Sequence, residues 1–283
     1  MPCHTTIKSD PAAEEAETEL KASALIDAIV RGDNPAEDVA AVSSLAGKPS
    51  IDVVVVKNRP QVLLVDHEDS FVHTLANYLR QTGADVVTTR SGTAFEKFLA
   101  ESVDSGKFKP DLAVLSPGPG SPSDFKLSTT IDAMIARKVP IFGVCLGLQG
   151  LVEHFGGELG ILDYPMHGKP SPIQRTYHDS EASSASSSSS LPDDVLRGLP
   201  AEFTVARYHS LHGKMAQMPK ELIVTAKSAD GIVMAIQHAT MPIAAVQFHP
   251  ESILTLPKNG MKILYNALEN LKSSSYPSNA KKG

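Results

Sequence analysis

The chain has 283 residues, 42% of them hydrophobic and 20% charged, which suffices for one large globular domain with appendages. Its 32 acidic residues outnumber 26 basic ones without a basic cluster, and no apolar run approaches a membrane span of about 20 residues, so neither nucleic acid nor membrane is a predicted partner. Two cysteines are too few for a disulfide framework and the acidic N-terminus is unlike a targeting signal, which together predict a cytoplasmic protein.

Two segments precede the predicted core. Residues 11–31 begin at Pro11, carry acidic residues in the first turns and end before Gly32, which predicts a helix. Residues 32–59 mix proline, glycine and serine with a short valine run, which predicts a linker with room for one strand. We therefore divide the chain into an N-terminal helical segment at 1–31, a linker at 32–59 and a domain at 60–272.

The first half of that domain alternates two kinds of pattern. Short apolar runs predict buried strands at 62–65, 86–89, 112–115 and 139–144. Amphipathic stretches predict helices between them at 70–81, 93–103 and 127–137. This alternation predicts an α/β fold with an open, mostly parallel sheet flanked by helices.

Shorter β-like runs dominate the second half and predict additional hairpin strands. They lie at 166–173, 203–205, 222–226, 233–237 and 244–248, before a last predicted helix at about 258–271. A serine-rich tract at 178–192 has nothing to bury and is predicted to be a surface insertion. Residues 273–283 are predicted to be a flexible tail.

A cysteine between two glycines carries the strongest chemical signal. In Gly143-Val-Cys145-Leu-Gly147, an apolar run predicted to be a strand ends at the cysteine, and a predicted helix follows it. This pattern is typical of a nucleophile elbow. The helix N-terminus would favour the thiolate of Cys145, the nucleophilic form of the side chain. A buried structural cysteine is the alternative interpretation.

Three further segments supply groups that a nucleophilic cysteine needs. His249-Pro-Glu251 follows an apolar run, and residues two apart in an extended segment point the same way, so Glu251 could orient His249 as a base. Ser116-Pro-Gly-Pro-Gly120 follows a predicted strand and has free backbone N–H groups that could bind an oxyanion. Arg207-Tyr-His-Ser-Leu211 is a polar cluster predicted to follow a strand. Each taken alone is also compatible with an ordinary loop.

Taken together, these segments resemble class I glutamine amidotransferases of the Cys-His-Glu type. The resemblance covers roughly residues 62–271. Four segments are similar to the anthranilate synthase and aminodeoxychorismate synthase branch: Gly-Val-Cys-Leu-Gly-Leu-Gln (143–149), Leu-Ser-Pro-Gly-Pro-Gly (115–120), Tyr-His-Ser-Leu (208–211) and Gln-Phe-His-Pro-Glu-Ser (247–252). Two further segments resemble the fused form of anthranilate synthase, in which this domain follows the chorismate-converting one: Val-Asp-His-Glu-Asp-Ser-Phe (65–71) and Pro-Met-His-Gly-Lys (165–169). The N-terminal helix at 1–31 resembles the tail of the chorismate-converting component, which a linker joins to this domain.

The resemblance implies a role for each matching residue. Cys145 would attack the carboxamide of L-glutamine, His249 would act as base and acid, and Glu251 would orient His249. The set that binds glutamine and the oxyanion would comprise Gly118, Pro119, Gly120, Leu146, Gln149, His209, Ser210 and Leu211.

The resemblance also implies a function and a partner. We expect the glutaminase component of anthranilate synthase, which supplies ammonia to a chorismate-converting component, either a separate chain or an upstream domain. No cofactor and no metal are expected in this chain, and magnesium is expected only on that partner. The alternatives are the corresponding component of aminodeoxychorismate synthase or of a phenazine-type synthase, and a non-catalytic module that binds glutamine.

Overall fold

The computed structural model describes residues 59–176, 194–255, 259–273 and 276. The predicted helix at 11–31, the linker except Arg59 and the serine-rich insertion at 178–192 lie outside these residues. Of the predicted tail, Ser273 is the last residue of a helix, and the Tyr276 hydroxyl donates a hydrogen bond to the Val139 carbonyl (2.7 Å). Within the described ranges, no helix is long and apolar enough to cross a membrane.

In the described residues, nine strands form one mixed sheet in the spatial order β2-β1-β3-β4-β9-β8-β7-β5-β6. The strands are β1 (Gln61–Asp66), β2 (Asp85–Arg90), β3 (Leu112–Leu115), β4 (Ile141–Val144), β5 (Leu159–Arg175), β6 (Glu202–Gly213), β7 (Leu222–Ser228), β8 (Val233–His238) and β9 (Ile243–Val246). We call β2, β1, β3, β4 and β9 the parallel part, because each pairs in parallel with its neighbour. We call β8, β7, β5 and β6 the antiparallel part.

The described α-helices each follow a strand of the parallel part. They are α1 (Val72–Gln81), α2 (Thr93–Phe98) with a π-helical turn at Leu99–Val103, α3 (Leu127–Ala136), α4 (Leu146–His154) and α5 (Met261–Ser273). Every residue of β3, β4 and β9 is buried, as expected for strands covered on both faces. Two apolar clusters, one including Val62, Leu64 and Leu264 and the other Leu63, Val65 and Leu151, form the core.

The predicted fold class is confirmed, with corrections in the antiparallel part. Strand β5 begins seven residues before the predicted start, because two irregularities in its pairing with β6 accommodate the residues around Pro165 and Gly168. The prediction that residues 207–211 follow a strand is wrong. They lie inside β6, where His209 pairs with Met166 and Arg207 with Lys169, and the polar side chains of Arg207 and His209 are buried.

Candidate active site

Four parallel strands end beside one another, and polar or reactive residues follow each of them. Strand β1 leads into His67, β3 into the 116–120 loop, β4 into Cys145 and β9 into Gln247 and His249. The carboxyl ends of parallel strands are where open α/β sheets place their sites. The topology therefore brings these segments to one edge of the sheet.

Cys145 occupies a sharp turn between β4 and α4. Its φ of 53° and ψ of −99° lie in a region that side chains rarely adopt, and it is the residue that precedes the first turn of α4. Its N–H donates a hydrogen bond to the Val246 carbonyl (2.8 Å), which ties the turn to the end of β9. This is the elbow geometry that the sequence predicts, with the thiol at a helix N-terminus.

The two glycines beside Cys145 allow the strand, the helix and β3 to pack closely. A Cβ atom on Gly143 would lie 2.7 Å from the Gly147 carbonyl carbon, and one on Gly147 would lie 2.7 Å from the Leu115 carbonyl oxygen. Both contacts are with backbone atoms, which cannot rotate away. The spacing of glycines that identified the elbow is thus a packing requirement of this turn.

Besides His249, two polar groups lie close to the sulfur of Cys145. Its Sγ lies 3.9 Å from the Tyr208 carbonyl oxygen of β6, which can accept from the thiol. The side-chain Nε2 of Gln247 donates to Sγ from 3.5 Å. Cys145 is 5% exposed, so only a small part of its surface is open to solvent.

His249 and Glu251 form a buried pair beside this sulfur. The Nδ1 of His249 lies 2.8 Å from Oε1 of Glu251. Burial alone would lower the pKa of His249, but the Glu251 carboxylate and the Cys145 thiol outweigh it and raise that pKa well above its usual range. The histidine therefore favours the protonated form at neutral pH. Nε2 makes no hydrogen bond of normal geometry with the described residues, and it is the nitrogen left to face the thiol.

Two aromatic rings and one backbone contact hold His249 in place. The Tyr208 ring lies edge-on to the imidazole at 5.0 Å between centroids, and the Phe71 ring does so at 6.1 Å. The His249 N–H donates to the Ala206 carbonyl of β6 (3.1 Å). The imidazole is thereby fixed by ring packing and by the neighbouring strand, in addition to Glu251.

The 116–120 loop is anchored through Ser116 and His67. The Ser116 hydroxyl accepts from the His67 N–H (2.9 Å), and Nδ1 of His67 lies 3.1 Å from that hydroxyl oxygen. His67 is fully buried, and this desolvation lowers its pKa to about 4, so the ring is neutral at neutral pH. The hydrogen bonds between the neutral His67 and Ser116 thus hold the start of the 116–120 loop.

The loop places one predicted oxyanion donor beside another. A Cβ on Gly118 would lie 2.6 Å from a Leu146 methyl carbon and 2.6 Å from the His67 carbonyl oxygen, so the loop backbone packs against the start of α4. Leu146 is the first residue of that helix, where N–H groups have no partner within the helix. Pro119 is exposed, and Gly120 has a φ of 69° at the turn leading into the Pro122–Phe125 helix.

Strand β6 and helix α4 contribute the remaining predicted residues. The Leu211 carbonyl accepts from Gln149 Nε2 (3.0 Å) and also contacts Nδ1 of His209 (2.9 Å). Burial, with the nearby Arg207 charge, lowers the pKa of His209 to about 3. Ser210 lies between them and is half-buried. The structure therefore brings Gln149, His209, Ser210 and Leu211 together beside Cys145.

Sequence reasoning missed four residues of this arrangement. Tyr208 and Gln247 stand inside quoted segments but had no predicted role, and neither had Phe71 or His67. A possible signal was the position of His67 and Gln247 directly after strands β1 and β9, at the edge where sites form. In the part of the chain that the structure describes, no cluster of three or more His, Cys, Asp or Glu side chains could hold a metal ion.

Comparison with known sequences identifies the family. The sequence model described as glutamine amidotransferase class-I matches residues 63–271. The chain belongs to the class I glutamine amidotransferase family. It is similar to an anthranilate synthase of Azospirillum brasilense, with 47% identity over 93% of this chain and 32% of that protein. The chain thus spans about a third of the length of that relative.

Shorter relatives match over nearly their whole length. The anthranilate synthase component 2 of Haemophilus influenzae is 38% identical over 74% of this chain and 96% of its own length. The aminodeoxychorismate/anthranilate synthase component 2 of Bacillus subtilis is 36% identical over 74% of this chain and 95% of its own.

Solved structures match the fold of this family member. A putative GMP synthase subunit of Thermoplasma acidophilum has a TM-score of 0.60 at 23% identity, covering 76% of this chain and 95% of that one. A glutamine amidotransferase of Thermotoga maritima has a TM-score of 0.56 at 13% identity, covering 77% and 100%.

Proposed function

We propose that this chain is the glutamine-hydrolysing part of an anthranilate synthase. It would release ammonia from L-glutamine through a thioester on Cys145 and supply that ammonia for the conversion of chorismate to anthranilate. The observation that carries the proposal is the elbow Cys145 beside the buried His249–Glu251 pair. The choice of anthranilate as the product is supported by the relatives named anthranilate synthase, one of which is 47% identical over most of this chain.

Acylation would begin from the thiolate of Cys145 and the protonated His249. The sulfur attacks the carboxamide carbon of glutamine, and the carbonyl oxygen becomes an oxyanion in a tetrahedral intermediate. His249 then gives its proton to the departing nitrogen, the C–N bond breaks, and ammonia leaves a glutamyl thioester on the sulfur. The raised pKa of His249 suits this step, because it keeps the proton on the imidazole until the leaving group needs it.

The oxyanion would be bound by the N–H groups of Gly118 and Leu146. The close packing of Gly118 against Leu146 supports this pairing, since two donors must converge on one oxygen. A single donor of this kind is typically worth about 10²–10³ in turnover. Gly120 and Pro119 would shape the same loop, and Gln149, His209, Ser210 and Leu211 would hold the α-amino and α-carboxylate end of glutamine.

Deacylation would return the enzyme to its starting state. His249, neutral after the first step, takes a proton from a water molecule whose oxygen attacks the thioester. The second tetrahedral intermediate expels the Cys145 thiolate, glutamate leaves, and His249 again carries a proton. Glu251 stays ionised throughout and stabilises the imidazolium in both half-reactions.

The proposed partner is a chorismate-converting component, either a separate chain or an upstream domain. The match to nearly the whole length of the Haemophilus component 2 protein supports a separate partner chain. The match to about a third of the longer Azospirillum protein supports a partner domain in the same chain. We assign no cofactor and no metal to this chain and place magnesium on the partner. A cytoplasmic location stays a prediction from composition.

A second product is favoured by one relative. The Bacillus subtilis protein is named aminodeoxychorismate/anthranilate synthase component 2, so a glutaminase of this family can carry both names. Adding the purified chain to either chorismate-converting component, with chorismate and glutamine, separates the two products. Fluorescent anthranilate formed only with the anthranilate-type component supports the main proposal, and aminodeoxychorismate formed with the other supports the second.

Replacement of the nucleophile tests the chemistry. Cys145→Ser should lower glutamine-dependent ammonia release by several orders of magnitude, because a serine hydroxyl is far less acidic than a thiol and is a much weaker nucleophile. The matched control is Cys3→Ser, which changes the other cysteine of the chain and should leave the rate unchanged. Ammonia is measured with a coupled glutamate dehydrogenase assay and folding by circular dichroism. Undiminished release from a folded Cys145→Ser chain would remove the mechanism and favour a glutamine-binding module.

A further inference from the structure

Gln247 contacts the nucleophile and has no role in the mechanism above. It is fully buried, and its backbone N–H donates to the Met234 carbonyl of β8 (2.9 Å). The residue before it, Val246, accepts the hydrogen bond from the Cys145 N–H. The backbones of Gln247 and Cys145 are therefore fixed relative to each other by the sheet.

A chain of hydrogen bonds sets the orientation of the nearby side chains. The guanidinium Nε–H of Arg207 can only donate, so Nε2 of His209, 3.1 Å away, accepts. The proton of His209 is then on Nδ1, which donates to the Leu211 carbonyl. That carbonyl can only accept, so the amide nitrogen of Gln149 is the atom that faces it at 3.0 Å.

The orientation of Gln149 determines that of Gln247. The second N–H of the Gln149 amide points to Oε1 of Gln247, 3.5 Å away. Turning the Gln247 amide over would put two NH₂ groups face to face with no acceptor between them. The oxygen of Gln247 is therefore committed to Gln149, and its nitrogen faces Cys145 Sγ at 3.5 Å.

We propose that Gln247 is a further catalytic residue, whose side-chain N–H stabilises negative charge on the Cys145 sulfur, and that Gln149 is a positioning residue that orients Gln247. This rests on the proposed function in one respect, that Cys145 is the nucleophile. The sulfur carries charge as the attacking thiolate and again as the group expelled from the thioester. The side-chain N–H of Gln247 would stabilise the thiolate at both steps.

The physical basis is a preorganised, buried donor. A hydrogen bond to a charged partner is stronger than one between neutral groups. The amide of Gln247 does not have to turn toward the sulfur when charge appears, because Gln149 already holds it. Loss of this donor should therefore make the thiolate harder to form.

The test measures the reactivity of the sulfur without glutamine. In the full chain carrying Cys3→Ser, Cys145 is the remaining thiol, and its rate of alkylation by iodoacetamide is followed from pH 5 to 10 by mass spectrometry. Gln247→Glu keeps the shape of the side chain and replaces the N–H donor by an oxygen. Gln247→Met removes the donor without adding charge. Gln217→Glu makes the same chemical change on an exposed residue as the matched control.

Removal of the donor should move the pH midpoint of alkylation upward. We expect alkylation at pH 7 to be at least about tenfold slower in Gln247→Glu and about threefold slower in Gln247→Met, with Gln217→Glu like the parent. A purely structural role would change the melting temperature or the amplitude and leave the midpoint in place. An unmoved midpoint in either folded Gln247 variant would overturn the proposal.

A measurement on the parent chain decides the matter if both variants fail to fold or the thiol resists alkylation. The side-chain amide protons of Gln247 are assigned by NMR and followed as the pH is raised. One of them should move downfield as the sulfur ionises, and an amide that does not respond would contradict the proposal. Neither experiment measures ammonia release, so their failure is separate from failure of the proposed function, which Cys145→Ser tests.

Discussion

The parallel and antiparallel parts of the sheet contribute different kinds of groups to the candidate site. The parallel part supplies side chains at abrupt strand ends, namely Cys145 after β4 and His249 with Glu251 after β9. The antiparallel part supplies mostly backbone: three carbonyl groups of β6, at Ala206, Tyr208 and Leu211, accept from His249 N–H, lie beside the Cys145 thiol and accept from Gln149.

This division has a structural reason. Short parallel strands that are buried on both faces must end where the polar loops begin, so reactive side chains collect at one edge. A longer antiparallel strand such as β6 passes alongside that edge and offers a row of carbonyl groups at fixed spacing. The reactive side chains thus follow the parallel part of the sheet, and the carbonyl groups that position them belong to the antiparallel part.

The largest expected effect comes from the parallel part. Glu251→Gln removes the carboxylate that raises the pKa of His249, so we expect glutaminase turnover to fall by about 10²–10⁴-fold. The pKa of His249 should fall, and the alkaline limb of the pH–rate profile, where the imidazolium is lost, should move to lower pH. The rate of ammonia release from pH 5 to 10 gives both quantities. The surface variant Glu202→Gln, on the antiparallel part, serves as the control, and an alkaline limb at its parental position in Glu251→Gln would contradict the assignment.

The next effect compares Gly147 of α4, which packs against β3 of the parallel part, with Gly213 at the end of β6 in the antiparallel part. Gly147→Ala would put a methyl group 2.7 Å from a backbone oxygen of β3, whereas Gly213→Ala at the end of β6 would meet side-chain carbons at 3.1 Å and 3.2 Å. We expect Gly147→Ala to lower the free energy of unfolding by about 3 kcal/mol, although alanine is the better helix former, and Gly213→Ala by less than about 1 kcal/mol. Urea denaturation measures the unfolding free energy of both variants, and equal losses would contradict the expected difference in packing around the two glycines.

The smallest effect concerns one buried histidine from each part. His67 and His209 have pKa values lowered to about 4 and about 3, below the ordinary 6.5 of the unfolded chain. Because the unfolded state takes up their protons first, the stability that they contribute is complete above pH 6.5 and is lost as the pH falls through the lowered values.

Replacement of either histidine should flatten this acid dependence. His67→Asn and His209→Asn should each reduce the slope of unfolding free energy against pH by up to about 1.4 kcal/mol per pH unit between pH 6 and pH 4.5. Urea denaturation at a series of pH values gives the slopes. The exposed His73→Asn is the matched control and should retain the parental slope. A parental slope in either buried-site variant would mean that its histidine is not neutral in the folded chain.

Sequence patterns predicted the parallel part better than the antiparallel part. The bounds of β3 agree with the prediction, because Leu112–Leu115 is an unbroken apolar run between polar residues. Strand β6 was predicted at a quarter of its length, since Arg207 and His209 interrupt the apolar pattern. The burial of Arg207 depends on partners distant in sequence, Asp230 and Ser171, which a local pattern cannot reveal.

The candidate site divides in the same way. Cys145 stands out because its flanking glycines are a packing requirement that leaves a sequence signature. Gln247 carries no such signature, because an amide beside a strand end is ordinary until the positions of Gln149 and Cys145 are known. The roles assigned to the site residues remain predictions that the variants above are designed to test.

Cys145 has a positive φ, and cysteine and serine have unbranched side chains of similar shape that bear a similar strain there. A serine at 145 therefore keeps the bent main chain together with the Val246 hydrogen bond that holds it. The Cys145→Ser substitution therefore replaces the sulfur by an oxygen and keeps the strained backbone conformation at residue 145. A loss of turnover in that variant reports the chemistry of sulfur and not a relaxed loop.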